Sequence, residues 1–291
     1  MAEMSDGDRL YRFLFEDFPI RGQWVRLEAT WQEAQSRRID PPPVRRLLGE
    51  AMAASALLTA GLKFEGRLNL QIETDGPLRL VLAQCDHRLH LRATARYDES
   101  LLSDEIGFGA HGRLLLALEG RKPHERYQGV VPLAGEDLAG ALEHYFAQSE
   151  QLPARLRFAL TEHTVTGLLL QRMPGESADP DAWNRCNQLF DTLGAAELQQ
   201  WPAETLLRRL FAEENVRLFE PAPVSFRCRC SREGVAAMLR QLGSEELHDI
   251  LREQGKVSVT CEFCGRDYRF DAVDVGQLLA DDAPPPSSAT H

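Results

Sequence analysis

Apolar positions along the 291 residues follow different periods in different stretches, and the changes of period divide the chain. Val44, Leu47, Leu48, Ala51, Ser55 and Leu58 recur at helical spacing. Asp40 stands where an N-cap belongs, Pro41 suits the first helical position and Gly61 supplies a stop, so a helix is predicted over residues 40–61. The period then falls to two. Leu68, Leu70 and Ile72 alternate with Asn69, Gln71 and Glu73, and Asp75-Gly76-Pro77 turns the chain into residues 78–85, which predicts a hairpin with a third strand near 89–95. Further strands are predicted over 113–119, 127–133, 155–161 and 164–171. A helix starting near Glu136-Asp137 interrupts them and carries Leu138, Leu142, Tyr145 and Phe146. Strands with inserted helices and no strict alternation predict a strand-rich α+β core domain over residues 1–174. No element is read ahead of Asp40.

From residue 175 to 227 the strand pattern disappears and helical spacing returns, which predicts a helical linker region. Asp179-Pro180-Asp181 can start a helix with the stripe Trp183, Cys186, Phe190 and Leu193, and Pro202 can open another with Leu206, Leu207, Leu210 and Phe211. The segment holds Trp183 and Trp201, two of the four tryptophans. Their burial requires docking, most simply against the first domain. Pro221 and Pro223 then break the chain, a small domain follows over 228–280, and residues 281–291 have the composition of a disordered tail.

The chain carries 33 basic and 44 acidic side chains, a formal charge of −11. Residues 1–174 hold 21 and 24 of them and residues 175–291 hold 12 and 20, so the negative excess concentrates in the C-terminal part. That distribution argues against an electrostatic hold on nucleic acid or a membrane surface, which wants clustered positive charge. No apolar run approaches the roughly 18 residues of a membrane-spanning helix. The acidic first eight residues lack a hydrophobic signal core, so a cytoplasmic protein is expected.

Enzyme signatures are weak or missing. Gly107-Phe108-Gly109-Ala110-His111-Gly112 has G-x-G-x-x-G spacing, but the apolar run 114–118 that follows is too short for the helix a dinucleotide site requires. A loop leading into a strand is expected there. Neither a Walker A sequence nor G-x-S-x-G is present, so no catalytic residue is assigned and a protein without enzymatic activity is expected. His87, His90 and His248 read as ordinary surface histidines. Cys85 and Cys186 read as small buried hydrophobes.

The remaining four of the six cysteines have a definite pattern: Cys228-x-Cys230, a long spacer, then Cys261-x-x-Cys264. Side chains at i and i+2 of an extended segment share a face, so Cys228 and Cys230 can reach one ion. A strand, tight turn and strand around Cys261 and Cys264 present the second pair. Between the pairs, Ser231 can cap a helix through Val235, Met238, Leu239 and Leu242, and Ser244 can begin another that ends at Gly255. Tetrahedral zinc with four thiolate ligands, one ion per reduced chain, closes this arrangement. Bridging Cys228 to Cys230 requires the backbone to bend, because i and i+2 on a strand lie ~6.6 Å apart, near the upper limit for a disulfide.

The sequence resembles the heat shock protein 33 family, the redox-regulated 33 kDa chaperonins of bacteria. The resemblance is carried by Phe226-Arg227-Cys228-Arg229-Cys230-Ser231 with Cys261-Glu262-Phe263-Cys264. Leu62-Lys63-Phe64-Glu65-Gly66-Arg67-Leu68 and the run from Gly167 to Gly175 support it. The resemblance implies a holdase chaperone that binds unfolded clients, silent while reduced and zinc-bound. Oxidants activate it by forming disulfides and expelling zinc, and the active form is a homodimer. Of the three pairings open to four cysteines, Cys228 with Cys230 and Cys261 with Cys264 are expected, since closing a loop of a few residues costs less entropy than closing one of ~30. The energetics fit a metastable linker. A module of about 50 residues has a core worth at most ~3–5 kcal/mol, whereas four-thiolate zinc contributes ~10–16 kcal/mol of folding energy. Two other readings stay open at this point: a structural zinc protein without a switch, and a thiol-disulfide oxidoreductase using Cys261 and Cys264. A zinc ribbon for nucleic acid would need a basic face that residues 175–291 lack.

Overall fold

A computed structural model describes residues 7–36, 38–101, 112–120, 126–133, 137–177 and 179–280. The chain divides into two units, residues 1–227 and 228–291. The expected tail and most of the G-x-G-x-x-G stretch lie outside the described residues.

In the first unit the chain runs β1 (Arg9–Phe15), β2 (Ile20–Leu27), α1 (Ala29–Gln35), α2 (Pro42–Ala60), β3 (Gly66–Glu73), β4 (Leu78–Asp86), β5 (His90–Tyr97), β6 (Arg113–Gly120) and β7 (Arg126–Pro132). It continues through α3 (Leu138–Tyr145), a π turn, β8 (Ala154–Leu160), β9 (Val165–Arg172), α4 (Ala182–Thr192), α5 (Ala195–Gln200), α6 (Ala203–Leu210), β10 (Val216–Leu218), β11 (Ala222–Pro223) and β12 (Ser225–Phe226). One sheet has the order β10-β1-β2-β9-β8, with β11 also on β1, and the other β12-β5-β4-β3-β6-β7. Pairing is antiparallel except between β12 and β5. The predicted hairpin is β3–β4, joined in register from Arg67↔Asp86 to Glu73↔Leu80.

Helix α2 lies at the centre. Its residues from Leu47 to Thr59 are buried without interruption, and a helix apolar all round belongs between layers. The one-sided stripe expected from the spacing is therefore wider in the structure. Small residues Ala51, Ala53, Ala54, Ser55 and Ala56 let both sheets approach. The cap also differs by one residue. Pro41, not Asp40, is the N-cap, because the Asp40 carboxylate is taken by the Arg38 guanidinium at 2.9 Å and by the Tyr97 hydroxyl at 3.1 Å.

Strands β1 and β2, ahead of the first element read from sequence, belong to the first sheet. Along β2, Val25 and Leu27 face the core shared with α2 and the second sheet. Ile20 and Trp24 face the opposite side, where they pack with Cys186 and Phe190 of α4 and with Leu206 and Leu210 of α6. A strand buried on both faces shows no alternation of apolar and polar residues, which hides it from a period-two search. A Cβ on Gly22 would meet the Phe13 ring and stand 2.6 Å from the Leu169 carbonyl oxygen, so this strand needs glycine there.

The predicted helices of the 175–227 segment are α4 and α6, and α5 lies between them. Pro202 is the N-cap of α6. Trp183 and Trp201 are partly buried against the outer-face cluster, the docking expected of them. Strand structure does not vanish in this segment, however. Strands β10, β11 and β12 pair with β1 and β5, and at two or three residues each they are too short to show a period.

The second unit comprises α7 (Arg232–Arg240), α8 (Ser244–Gln254), the hairpin β13 (Val257–Thr260) and β14 (Asp267–Phe270), and α9 (Ala272–Ala280). Ser231 caps α7 as predicted, its Oγ accepting from Gly234 N at 3.0 Å. Gly255 closes α8 in the left-handed conformation at φ 73°. Leu242, expected on the helical stripe, lies beyond the end of α7 and is exposed. The apolar core is small: Leu239, Leu247, Val257, Tyr268, Phe270, Val275 and Leu278. The Arg232 guanidinium stacks on Phe270 at 4.3 Å and pairs with Asp274 at 2.8 Å, tying α7 to the hairpin and to α9.

Candidate metal centre

Two local structures bring the four cysteines together. Cys230 immediately precedes Ser231, whose backbone is extended where it caps α7. Cys261 and Cys264 sit on the turn between β13 and β14. There Cys261 N donates to Arg266 O at 2.9 Å and Gly265 N to Cys261 O at 2.8 Å. Gly265 takes φ 65°, a left-handed conformation that glycine adopts without a Cβ penalty, and the chain reverses tightly enough for both sulfurs to point the same way.

The four sulfurs all lie within 4.8 Å of one another. Cys228 Sγ is 3.6 Å from Cys261 Sγ, and Cys230 Sγ is 3.4 Å from Cys264 Sγ. A tetrahedron with metal–sulfur bonds of about 2.3 Å has edges of about 3.8 Å, whereas a disulfide needs about 2.05 Å. The spacing thus suits four sulfurs around one ion, and all six cysteines are free thiols. Four sulfur donors with no histidine or carboxylate favour a thiophilic ion such as zinc over calcium or magnesium.

The surroundings tune these thiols unequally. Burial alone would push Cys230 up, but the hydrogen bond from the Tyr268 hydroxyl at 3.1 Å and those from the other three cysteines outweigh it and bring the thiol down to about 7. Burial pushes Cys264 up to about 12 and also raises Cys228. Arg266 adds positive charge at the rim: its ordinary value is raised by Tyr268 first and then by Cys230 and Cys264. Tyr268 and Arg266 were not read from the sequence. Their only signal there is position, Arg266 two residues after Cys264 in the turn and Tyr268 four after it on the strand that follows.

The other candidates stand apart. Cys85 on β4 and Cys186 on α4 are wholly buried, and burial pushes both thiols up to about 12, which makes them the inert hydrophobes expected. His90 Nδ1 lies 3.1 Å from Asp86, and His248 Nδ1 lies 2.6 Å from Ser244 O. Among the described residues no second group of histidine, cysteine or carboxylate side chains converges in this way. The apolar run after Gly112 is strand β6, which excludes the helix of a dinucleotide site. No helix of the described residues is long and apolar enough to cross a membrane.

Comparison with known proteins agrees over nearly the whole chain. The family model described as Hsp33 protein matches residues 8–271. The 33 kDa chaperonin of Nitrosococcus oceani is 44% identical over 294 aligned positions, covering 99% of this chain and all of that protein. That of Azotobacter vinelandii is 43% identical with the same coverage. The crystal structure of the 33 kDa chaperonin of Thermotoga maritima, a heat shock protein 33 homologue, superposes with a TM-score of 0.82 at 25% identity, covering 94% of this chain and 99% of that one. A match of this extent, with four cysteines converging where the sequence pattern placed them, shows that the chain belongs to the Hsp33 protein family.

Proposed function

We propose that this chain is an ATP-independent holdase chaperone regulated by thiol oxidation, inactive while reduced and zinc-bound. The observation that carries the reading is four thiols within 4.8 Å of one another in a unit whose apolar core is small. Family membership and the name chaperonin shared by its relatives support the chaperone part. Cys228, Cys230, Cys261 and Cys264 are the residues that would hold the ion. Bound zinc would keep the thiolates deprotonated and contribute ~10–16 kcal/mol of folding energy.

Oxidation removes that donor set. Two thiolates give up two electrons to form each disulfide while one peroxide is reduced to two hydroxides, so two peroxides convert all four ligands. The sulfur distances across the pairs carry no preference, because every sulfur of a tetrahedron neighbours every other. Once released, short loops close at the lowest entropy cost, giving Cys228–Cys230 and Cys261–Cys264. A module of this size without its donors cannot stay folded.

The segment that precedes the cysteines gives this loss a consequence. Helices α4 to α6 cover a face of the first sheet that carries Phe13, Phe15, Trp24, Leu168 and Leu170. If unfolding of residues 228–280 loosens the 175–227 segment, that face becomes available to apolar segments of an unfolding client, and to a second copy in an active dimer. A cytoplasmic setting, where thiols stay reduced until stress, suits such a switch.

The test combines zinc content, free-thiol count and client aggregation before and after peroxide. Oxidised protein should lose its zinc and four thiols, map to the two short-loop disulfides, and suppress aggregation without ATP where the reduced form does so weakly. Unchanged aggregation after full oxidation would leave a structural zinc protein, and catalytic turnover of a disulfide substrate would favour the oxidoreductase reading.

A further inference from the structure

In the first unit, a cavity of about 360 Å³ opens between the two sheets beside the C-terminal end of α2. Its walls are apolar, formed by Leu57, Leu68, Leu116, Phe146 and Leu169. One side is not. Along β2 the residues facing the shared core alternate as Arg21, Gln23, Val25 and Leu27, and the first two are polar. In register across from them on β9 stand Gln171 and Leu169. Polar residues at core-facing positions of a sheet are costly unless satisfied, and these are satisfied only in part.

Arg21 donates Nε and Nη2 to one oxygen of Gln171, at 3.1 and 2.8 Å, and Nη1 to the Gly61 carbonyl at 3.4 Å. No carboxylate pairs with it among the described residues, and burial lowers it from its ordinary value, the mark of a cation short of solvent. Gln23 is 2% exposed and its Oε1 has no partner. Its amide can present either end to the cavity by a half-turn about its last bond. Glu150, also in the lining, is exposed and accepts from both the Tyr127 and Tyr145 hydroxyls, at 3.2 and 3.1 Å, so its carboxylate is hydrogen-bonded and open to solvent without a ligand.

We propose that this cavity binds a small amphipathic carboxylate, its head on Arg21 and Gln23 and its aliphatic chain against the leucine walls. At about 30 Å³ for each heavy atom, the share of a water molecule in the liquid, the volume holds on the order of ten heavy atoms, the size of a medium-chain fatty acid such as octanoate. A guanidinium recognises a carboxylate with two parallel hydrogen bonds, and the buried amide adds a third.

Titration calorimetry of the reduced, zinc-loaded full chain with octanoate tests this. One site per chain is expected. Arg21→Gln should weaken it at least ~10-fold, because a charge-assisted pair is lost. Leu118→Trp, which fills the cavity from a half-buried wall position, should abolish it, and octylamine, with the opposite head charge, should not bind. Chemical-shift mapping of leucine methyl groups in the unaltered chain is independent of whether either variant folds, and octanoate should move Leu116, Leu118 and Leu169. The proposal is overturned if octanoate gives neither heat nor shifts at millimolar concentration. Equal binding of octylamine, or shifts confined to the face covered by α4 to α6, would equally overturn it by identifying general apolar adhesion.

Discussion

The two units hold themselves together in opposite ways. The first packs Trp24, Trp31, Phe13, Phe190 and Phe211 at 2% exposure or less into cores on both faces of one sheet. The second has no tryptophan and buries a handful of side chains around one hairpin. The same residue type accordingly does different work in each. In the large core Cys85 and Cys186 are shielded, and burial pushes their thiols up to about 12. In the small one the cysteines converge, and the hydroxyl of Tyr268 with the neighbouring thiols brings Cys230 down to about 7 against the effect of burial. Where apolar area is sufficient a thiol is filler. Where it is not, four thiols gather beside a small core, and on the proposed function their oxidation would unfold the unit.

The widest separation between the units should follow loss of a ligand. Cys261→Ser is expected to bring zinc content close to zero and to remove hydrogen-exchange protection across 228–280, while α2 and β9 keep theirs. Cys85→Ser should retain its metal. Full zinc and full protection in Cys261→Ser would break the comparison, since the second unit would then stand on its apolar core alone.

A smaller effect is expected from the first unit. Phe211 is 1% exposed and meets the Phe15 ring edge-on at 5.0 Å, so Phe211→Ala should cost about 3–5 kcal/mol. The loss should appear as faster exchange in α4 to α6 and as partial anti-aggregation activity in the reduced form, with zinc content unchanged. An inactive reduced variant with loosened helices would separate docking of that segment from control of activity.

The smallest effect sharpens the account of the metal centre itself. Tyr268→Phe removes the hydrogen bond to Cys230 and leaves the ring in the core. Partners that orient a ligand are worth ~10–100-fold in metal affinity, so competition with a chromophoric chelator should show zinc held about tenfold less tightly, at the low end for a single hydrogen bond. Unaltered affinity would mean that the hydroxyl only fills space.

Legibility differed by element for physical reasons. Strand β3, with one face towards the core, announces itself by alternation, the Asp75-Gly76-Pro77 turn leads from it into β4, and Ser231 and Gly255 bound helices by backbone chemistry that needs no tertiary partner. Strand β2 gave no such signal, because burial on both faces erases the period, and β1 carries apolar residues on both faces, Leu10 on one and Phe13 and Phe15 on the other. Strands β10 to β12 take their form from pairing with β1 and β5, and α9, at the end of a module with few apolar residues, was not anticipated. At the candidate metal centre the four converging cysteines were legible because C-x-C and C-x-x-C spacing is a local property. Tyr268 was not, because its hydroxyl reaches Cys230 only after the hairpin closes across 38 positions of sequence.

The sequence by itself determined the family, the four converging cysteines, the α+β character and the caps and turns that place the second pair of thiols. Each rests on spacing or on the conformational preference of one or two residues. Tertiary structure alone decided that α2 is enclosed by both sheets, that α4 to α6 cover an aromatic face of the first sheet, and that Arg21 and Gln23 face inward beside a cavity. These depend on which faces meet, and a strand or helix flanked on two sides carries no record in its own periodicity of what lies against each.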